Sequence, residues 1–120
     1  MREDAEGLRR PPVEGVDRRN GTVVVRLAGE LDLYNSGEVG ETLTQVAGES
    51  PDRVVVDLGE VSFIDSTALG TLVEARKHVQ DGRLLLASPA PEVRRALEVS
   101  GLLALFAVHD SLDDALADSK

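Results

Sequence analysis

The sequence predicts an α/β fold with one mixed, mostly parallel sheet, in the order β-β-α-β-α-β-α-β-α, and three observations carry that reading. The runs RVVVDL (53–58) and RLLLA (83–87) are apolar without alternation, as strands covered on both faces of a parallel sheet must be. Around these runs the apolar spacing changes to the 3.6-residue period of helices, so strands and helices alternate and right-handed crossovers return each strand to one sheet. Near the N-terminus, Asn20-Gly21 separates two strand-like runs and favours a two-residue hairpin, because both positions tolerate positive φ.

Each element has its own signal. Residues 1–12 mix charges with Gly7, Pro11 and Pro12 and show no periodicity, so a flexible tail is expected before a domain over 13–118. The first strand, about 13–19, is weakly marked, since Val13 and Val16 do not keep a period of two; the second, about 22–28, is strongly apolar. From Asn35 the spacing of Val39, Leu43, Val46 and Ala47 is helical, with Asn35 and Glu38 resembling a capping box and Gly48 as the stop. After RVVVDL comes a helix bearing Leu69, Leu72, Val73 and Val79, closed by Asp81-Gly82. A third helix follows Pro91, packs Val93, Ala96 and Leu97, and stops at Gly101. Phe106-Ala107-Val108 reads as the last strand and Ser111 to about Asp118 as the last helix.

Composition narrows the function. With 120 residues and 42% hydrophobic residues the chain can bury one core, and with 2% aromatics that core must be aliphatic. A formal charge of −9 and few aromatics argue against direct nucleic-acid binding and favour a basic protein partner. The absence of cysteine excludes disulfides, thiolate metal sites and cysteine catalysis. No apolar run reaches the roughly 20 residues of a membrane span, and MREDAEGLRR is charged where a signal peptide is apolar. A cytoplasmic protein without membrane association is the expectation.

Catalytic machinery is not visible. Ser66 lacks the G-x-S-x-G elbow, His78 falls on the solvent side of its helix, and His109 follows the last strand, so no triad is predicted. No phosphate loop, H-E-x-x-H or EF-hand pattern occurs either. Glu30 and Asp32 are expected after one strand and Asp57 and Glu60 after another, on a rim shared with Asp65. These acids read as solvating charges and helix-start preferences, with an oxygen-rich Mg²⁺ rim as the alternative. No resident metal or cofactor is expected.

The segment FIDSTALG (63–70) is the most informative. Its polar residues suit a helix start, with Asp65 or Ser66 as N-cap and Ile64 and Leu69 buried on either side. One cap leaves two hydroxyls unexplained. On the helical wheel Thr67, Gly70, Glu74 and His78 point outward, whereas Ser66 and Lys77 border the apolar stripe. Gly70 costs about 1 kcal/mol relative to Ala inside a helix, which the close approach of another backbone would justify. The first turn therefore reads as a contact surface.

At this point the residues resemble a known family, the bacterial anti-sigma-factor antagonists, whose STAS domain is shared with the cytosolic part of sulfate transporters. The resemblance lies in RLAGELDLYNSGE (26–38), VVVDLGEVSFIDSTALGTL (54–72) and LEVSGLLALF (97–106), and spans about residues 13–118. It implies an anti-sigma-factor serine kinase as partner, phosphorylation by that kinase of the serine after the motif aspartate, here Ser66, and a phosphatase that reverses it. The unmodified antagonist would bind the kinase and free the sigma factor; the phosphorylated form would not. Asp65 would cap the helix and orient the Ser66 hydroxyl. The expected partner-binding residues are Glu30, Asp32, Asp65, Ser66, Thr67, Gly70 and Glu74. One departure is Ala68, where many antagonists have glycine, and another is the longer charged N-terminal tail. STAS domains also serve as scaffolds of signalling assemblies or accessory subunits of lipid-transport machines, and that is the alternative reading.

Overall fold

The computed structural model describes residues 10–118, so residues 1–9 of the expected tail lie outside the described residues. Its elements are β1 (Val13–Arg19), β2 (Thr22–Leu31), α1 (Ser36–Ala47), β3 (Arg53–Ile64), α2 (Ser66–Arg76), β4 (Leu84–Ala87), α3 (Pro91–Val99), β5 (Val108–His109) and α4 (Leu112–Ala117). Short 3₁₀ turns at Gln80–Gly82 and Leu102–Ala104 precede β4 and β5. The five strands form one sheet in the order β1-β2-β3-β4-β5, with β1 antiparallel to β2 and every other pair parallel.

This spatial order decides the layers. Each crossover from β2 onward steps in the same direction, so right-handedness puts α1, α2 and α3 on one face. Alternate residues of each strand point there: Val23, Val25 and Leu27 of β2, Val54, Val56 and Leu58 of β3, and Leu84 and Leu86 of β4 meet Val39 and Leu43 of α1, Leu72 of α2, and Val93 and Leu97 of α3. The intervening residues Val24, Val55, Leu85 and Ala87 face the other way and are covered by Ala115, Leu112 and Leu116 of α4. Both faces of the central strands are thus buried, which is why their sequences carry no polar alternation.

Local irregularities explain where the pattern in the sequence was hard to read. The register of β1 shifts between Val13 and Gly15, and this bulge lets both Val13 and Val16 pack on the same core despite their spacing of three. The hairpin turn is as expected, with Asn20 at φ 49° and Gly21 at φ 86°. Strand β3 runs to Ile64, well past Leu58, because it carries an extra residue against β2 at two places, Asp57–Glu60 and Val61–Phe63. Each extra residue reverses the alternation, so Val61 and Ile64 return to the core and the strand stops looking periodic.

Three expectations are corrected. Asn35 stands at the N-cap position of α1 but makes no capping hydrogen bond, so there is no capping box with Glu38. The helix of FIDSTALG ends at Arg76; amides of Lys77, His78 and Val79 bond carbonyls three residues back, a tightened last turn that leaves Val79 buried beyond the helix. Phe106 belongs to no strand. After Gly101, at φ 81°, the 3₁₀ turn drops its ring into the core and the last strand begins only at Val108.

At the start of the described residues, Pro12 is buried and its carbonyl accepts from the Ala28 amide at 3.0 Å, while the exposed Arg10 pairs with Glu14 at 2.8 Å and Glu60 at 3.4 Å. No helix among the described residues is long and apolar enough to cross a membrane.

Candidate functional site

The carboxyl end of β3 delivers Asp65 to the start of α2. Its backbone is extended (φ −100°, ψ 178°), as an N-cap residue requires, and its amide donates to the Leu31 carbonyl of β2 at 3.0 Å. The two carboxylate oxygens then divide their work. Oδ1 accepts from the Ala68 amide at 2.9 Å and satisfies an orphan N–H of the first helical turn. Oδ2 accepts from the Leu33 amide at 3.1 Å and ties the β2–α1 loop to the helix start.

With Asp65 as the cap, Ser66 becomes the first helical residue. It is exposed, and its hydroxyl makes no hydrogen bond among the described residues. Asp65, expected to orient this hydroxyl, makes no hydrogen bond to it in the structure; its carboxylate contacts are the two amides, and it places Ser66 through the backbone. Thr67 is also exposed, and its carbonyl accepts from the Thr71 hydroxyl at 3.2 Å. Ala68 is buried in the core and keeps the amide that the cap needs. Gly70 is exposed, and a Cβ there would meet nothing within 4 Å, so none of the described residues supplies the close approach its place in a helix suggested. Glu74, one turn further on, lies beside Lys77 at 3.4 Å. The Lys77 ammonium, and to a lesser extent His78, hold its carboxyl below the ordinary range.

The neighbouring loop is built by Asp32 and Asn35. Asp32 Oδ1 accepts from the Tyr34 amide at 3.0 Å, Asn35 Oδ1 accepts from the Asp32 amide at 2.9 Å, and Asn35 Nδ2 donates to the Glu30 carbonyl at 2.8 Å. Asn35 therefore locks a loop instead of capping a helix. Glu30 is exposed and sits at the end of β2 in register with Phe63. The structure thus brings Glu30, Asp32, Asp65, Ser66 and Thr67 to one end of the sheet. It does not bring Asp57 and Glu60 there: both lie inside β3, Asp57 accepting from the Gly59 amide at 2.9 Å and Glu60 facing Arg10, because the strand continues beyond the point where the sequence reading ended it.

Three large apolar side chains surround this edge and were not singled out from the sequence. Leu33 is 61% exposed, Tyr34 85% and Phe63 51%. Their signal was available: two of the three aromatic residues of the chain flank its polar motifs. Beside them a groove of about 600 Å³ runs between α1 and α2, lined by small residues such as Gly37, Gly40, Thr71 and Ala75 with Glu74 and His78 toward one end. The groove beside this edge is open along its length among the described residues. Doubly wound sheets build a ligand crevice where the strand order reverses, and this order never does. The result is an acidic, partly apolar, projecting surface on which the Ser66 and Thr67 hydroxyls are exposed and unengaged among the described residues, suited to meeting another protein.

The STAS domain family profile matches residues 15–115. Among curated proteins, the anti-sigma-B factor antagonist of Staphylococcus aureus is 32% identical over 91 residues, covering 74% of this chain and 84% of its own length. Among solved structures, an anti-sigma factor antagonist from Mycobacterium paratuberculosis superposes with a TM-score of 0.81 at 28% identity, covering 86% of this chain and 89% of the other. The fold is shared with SpoIIAA, solved unphosphorylated (TM-score 0.73, 24% identity, 85% of this chain, 91% of that one). The phosphorylated form of the Bacillus protein aligns with a TM-score of 0.66 at 22% identity, over 86% of this chain and 96% of that one. The chain therefore belongs to the STAS domain family, alongside the anti-sigma factor antagonists.

Proposed function

We propose that this protein is an anti-sigma factor antagonist switched by phosphorylation at Ser66. Unmodified, it binds an anti-sigma-factor serine kinase in the cytoplasm through the start of α2 and the β2–α1 loop, and the sigma factor is released. The single observation that carries the reading is the exposed, unengaged Ser66 hydroxyl at the first position of a helix whose cap is already supplied by Asp65.

In the transfer, the Ser66 Oγ attacks the γ-phosphorus of ATP held by the kinase. The new O–P bond replaces the bond to the β-phosphate oxygen, ADP leaves, and the hydroxyl proton passes to a base on the kinase. In this reading Asp65 serves as the helix cap, its carboxylate holding the Leu33 and Ala68 amides. The kinase also supplies Mg²⁺. The product adds about −1.5 to −2 charges where helix N–H groups and dipole tolerate them, so the fold survives. The contact does not survive, because the partner face must approach Ser66, Thr67 and Gly70 closely and then meets a dianion beside Glu30, Asp32 and Glu74. A phosphatase restores the binding form.

Incubation with the kinase and ATP, read by intact mass and peptide mapping, tests this. Wild type and Thr67→Ala gain one phosphate on Ser66, Ser66→Ala gains none and keeps the kinase bound, and Ser66→Asp binds weakly. A scaffold or accessory subunit would gain no phosphate. A phosphate mapped to Thr67, or tight binding by Ser66→Asp, sinks the switch as drawn.

A further inference from the structure

The opposite end of the sheet, where β2, β3 and β4 begin, holds a second and chemically different pocket. It measures about 190 Å³ and is lined by Asn20, Thr22, Asp52, Arg53 and Arg83. At roughly 30 Å³ for each water in the liquid, that is room for a few waters or one small polyatomic ion.

Arg53, the first residue of β3, is fixed on two sides. Its Nε donates to the Thr22 hydroxyl oxygen at 2.9 Å, and Nη2 donates to the Leu116 carbonyl near the end of α4 at 2.8 Å. Its Nη1 is buried and has no hydrogen-bond partner. Arg83, just before β4, is held by its backbone, its carbonyl accepting from the Val54 amide at 3.0 Å, and its Nε is likewise buried without a partner. These are the two buried side-chain nitrogens left unsatisfied among the described residues, and both belong to cations lining one pocket. A buried charged donor without a partner is costlier than a neutral one, so such a pair calls for an acceptor.

The pocket's own carboxylate does not provide one. Asp52 lies over the turn, its Oδ2 only 2.5 Å from where a Cβ on Gly21 would stand, and it accepts from neither unsatisfied guanidinium nitrogen. We propose that this pocket binds a small oxyanion, phosphate or sulfate, between the guanidinium groups of Arg53 and Arg83. The Thr22 hydroxyl, whose oxygen already accepts from Arg53, has its hydrogen free to donate as well, and the Asn20 amide lies at the same mouth. Because both unsatisfied atoms are closed to bulk water, uptake needs a small shift of the Arg83 side chain. Asp52 keeps the site at one net positive charge and moderates its affinity. The bound ion would join the hairpin turn to the starts of β3 and β4, and through Arg53 to α4, far from Ser66.

Titration of the full chain with inorganic phosphate, sulfate and chloride at matched ionic strength, followed by amide chemical shifts, tests the proposal. Phosphate and sulfate should give saturable shifts at Asn20, Thr22, Arg53 and Arg83, and chloride should not. Arg83→Met, which keeps the side-chain stem, should weaken binding roughly ten- to a hundredfold, the worth of one charge-assisted hydrogen bond. Asp52→Asn should tighten it. Adenosine monophosphate in a parallel titration separates a free ion from a phosphate group carried by a larger molecule, since only the second would bind more tightly than inorganic phosphate. Shifts that merely track ionic strength, or an Asp52→Asn variant that loses stability while wild type binds no oxyanion, would overturn the proposal by showing that Asp52 turns inward as the partner of the arginines.

Discussion

One face of the sheet carries three helices over a single large aliphatic cluster, and the other carries only α4, whose Ala115, Leu112 and Leu116 cover Val24, Val55, Leu85 and Ala87. The difference separates stability from recognition. The thick face supplies the packing and also the rigid support of α2, whose inner side is anchored by Ala68, Leu69, Leu72 and Ala75 while Ser66, Thr67 and Gly70 face outward. The thin face hangs on a six-residue helix held by the Ser111 hydroxyl, which accepts from the Asp114 amide at 3.0 Å, and by His109 Nε2 against Asp118 Oδ2 at 2.9 Å. Local opening should therefore begin at α4 and spare the site.

The largest effect expected is at the centre of the thick face. Leu72→Ala should cost about 2–5 kcal/mol in denaturant unfolding, because Leu72 is fully buried in the main core cluster. On the thin face, Leu85→Ala should fall at the low end of that range of about 2–5 kcal/mol, since α4 can settle inward. Equal losses would remove the distinction between the faces. At the junction of the thick face with the recognition edge, Asp65→Ala should cost about 1–2 kcal/mol, and hydrogen exchange should rise at both Ala68 and Leu33, the two amides it holds. Protection lost at Ala68 alone would mean the loop stands without the cap.

Smaller still is Ser66→Ala. With Asp65 as the cap, the Ser66 hydroxyl satisfies nothing inside the protein, so its removal should change unfolding free energy by less than about 0.5 kcal/mol. The least consequence belongs to the exposed pair of Arg18, on β1, with Glu49, after α1, where Arg18 Nε donates to Glu49 Oε1 at 2.8 Å. This hydrogen bond from Arg18 holds the Glu49 carboxyl below its ordinary value of 4.5. A carboxyl whose folded pKa is depressed contributes stability above its unfolded pKa and loses it as pH falls through the folded one. Glu49→Gln should then trail wild type slightly at neutral pH, draw level in acid below pH 4.5, and draw nearer in high salt. A gap that persists in acid would assign the difference to packing.

The order of elements and the layered sheet were legible in the sequence because buried parallel strands and amphipathic helices leave opposite apolar spacings. What escaped it was set by tertiary neighbours. Nothing local to Asp57 or Glu60 tells that β3 absorbs two extra residues against β2, and ending the strand early placed both acids on the wrong rim. Asn35 was read from a helix rule, yet it is drawn into the loop by Asp32 and Glu30. FIDSTALG was readable as a helix start, but only geometry decides that Asp65 uses both oxygens on amides and leaves Ser66 unengaged. Leu33, Tyr34 and Phe63 look like ordinary core material until the fold leaves them outside.

The strand order β1-β2-β3-β4-β5 has a consequence for how the molecule comes into being. Every strand finds its partner in the element just made, so no segment waits for a distant stretch of chain before it can pair. Such local wiring shortens the loops that must close and speeds folding relative to sheets with long-range pairing. As the polypeptide leaves the ribosome N-terminus first, each new strand with its helix can dock on the edge left by the previous one, and that edge is exposed only until the next arrives. The two-residue β5 then serves as the terminal stop, too short to offer a growing sheet another place to add.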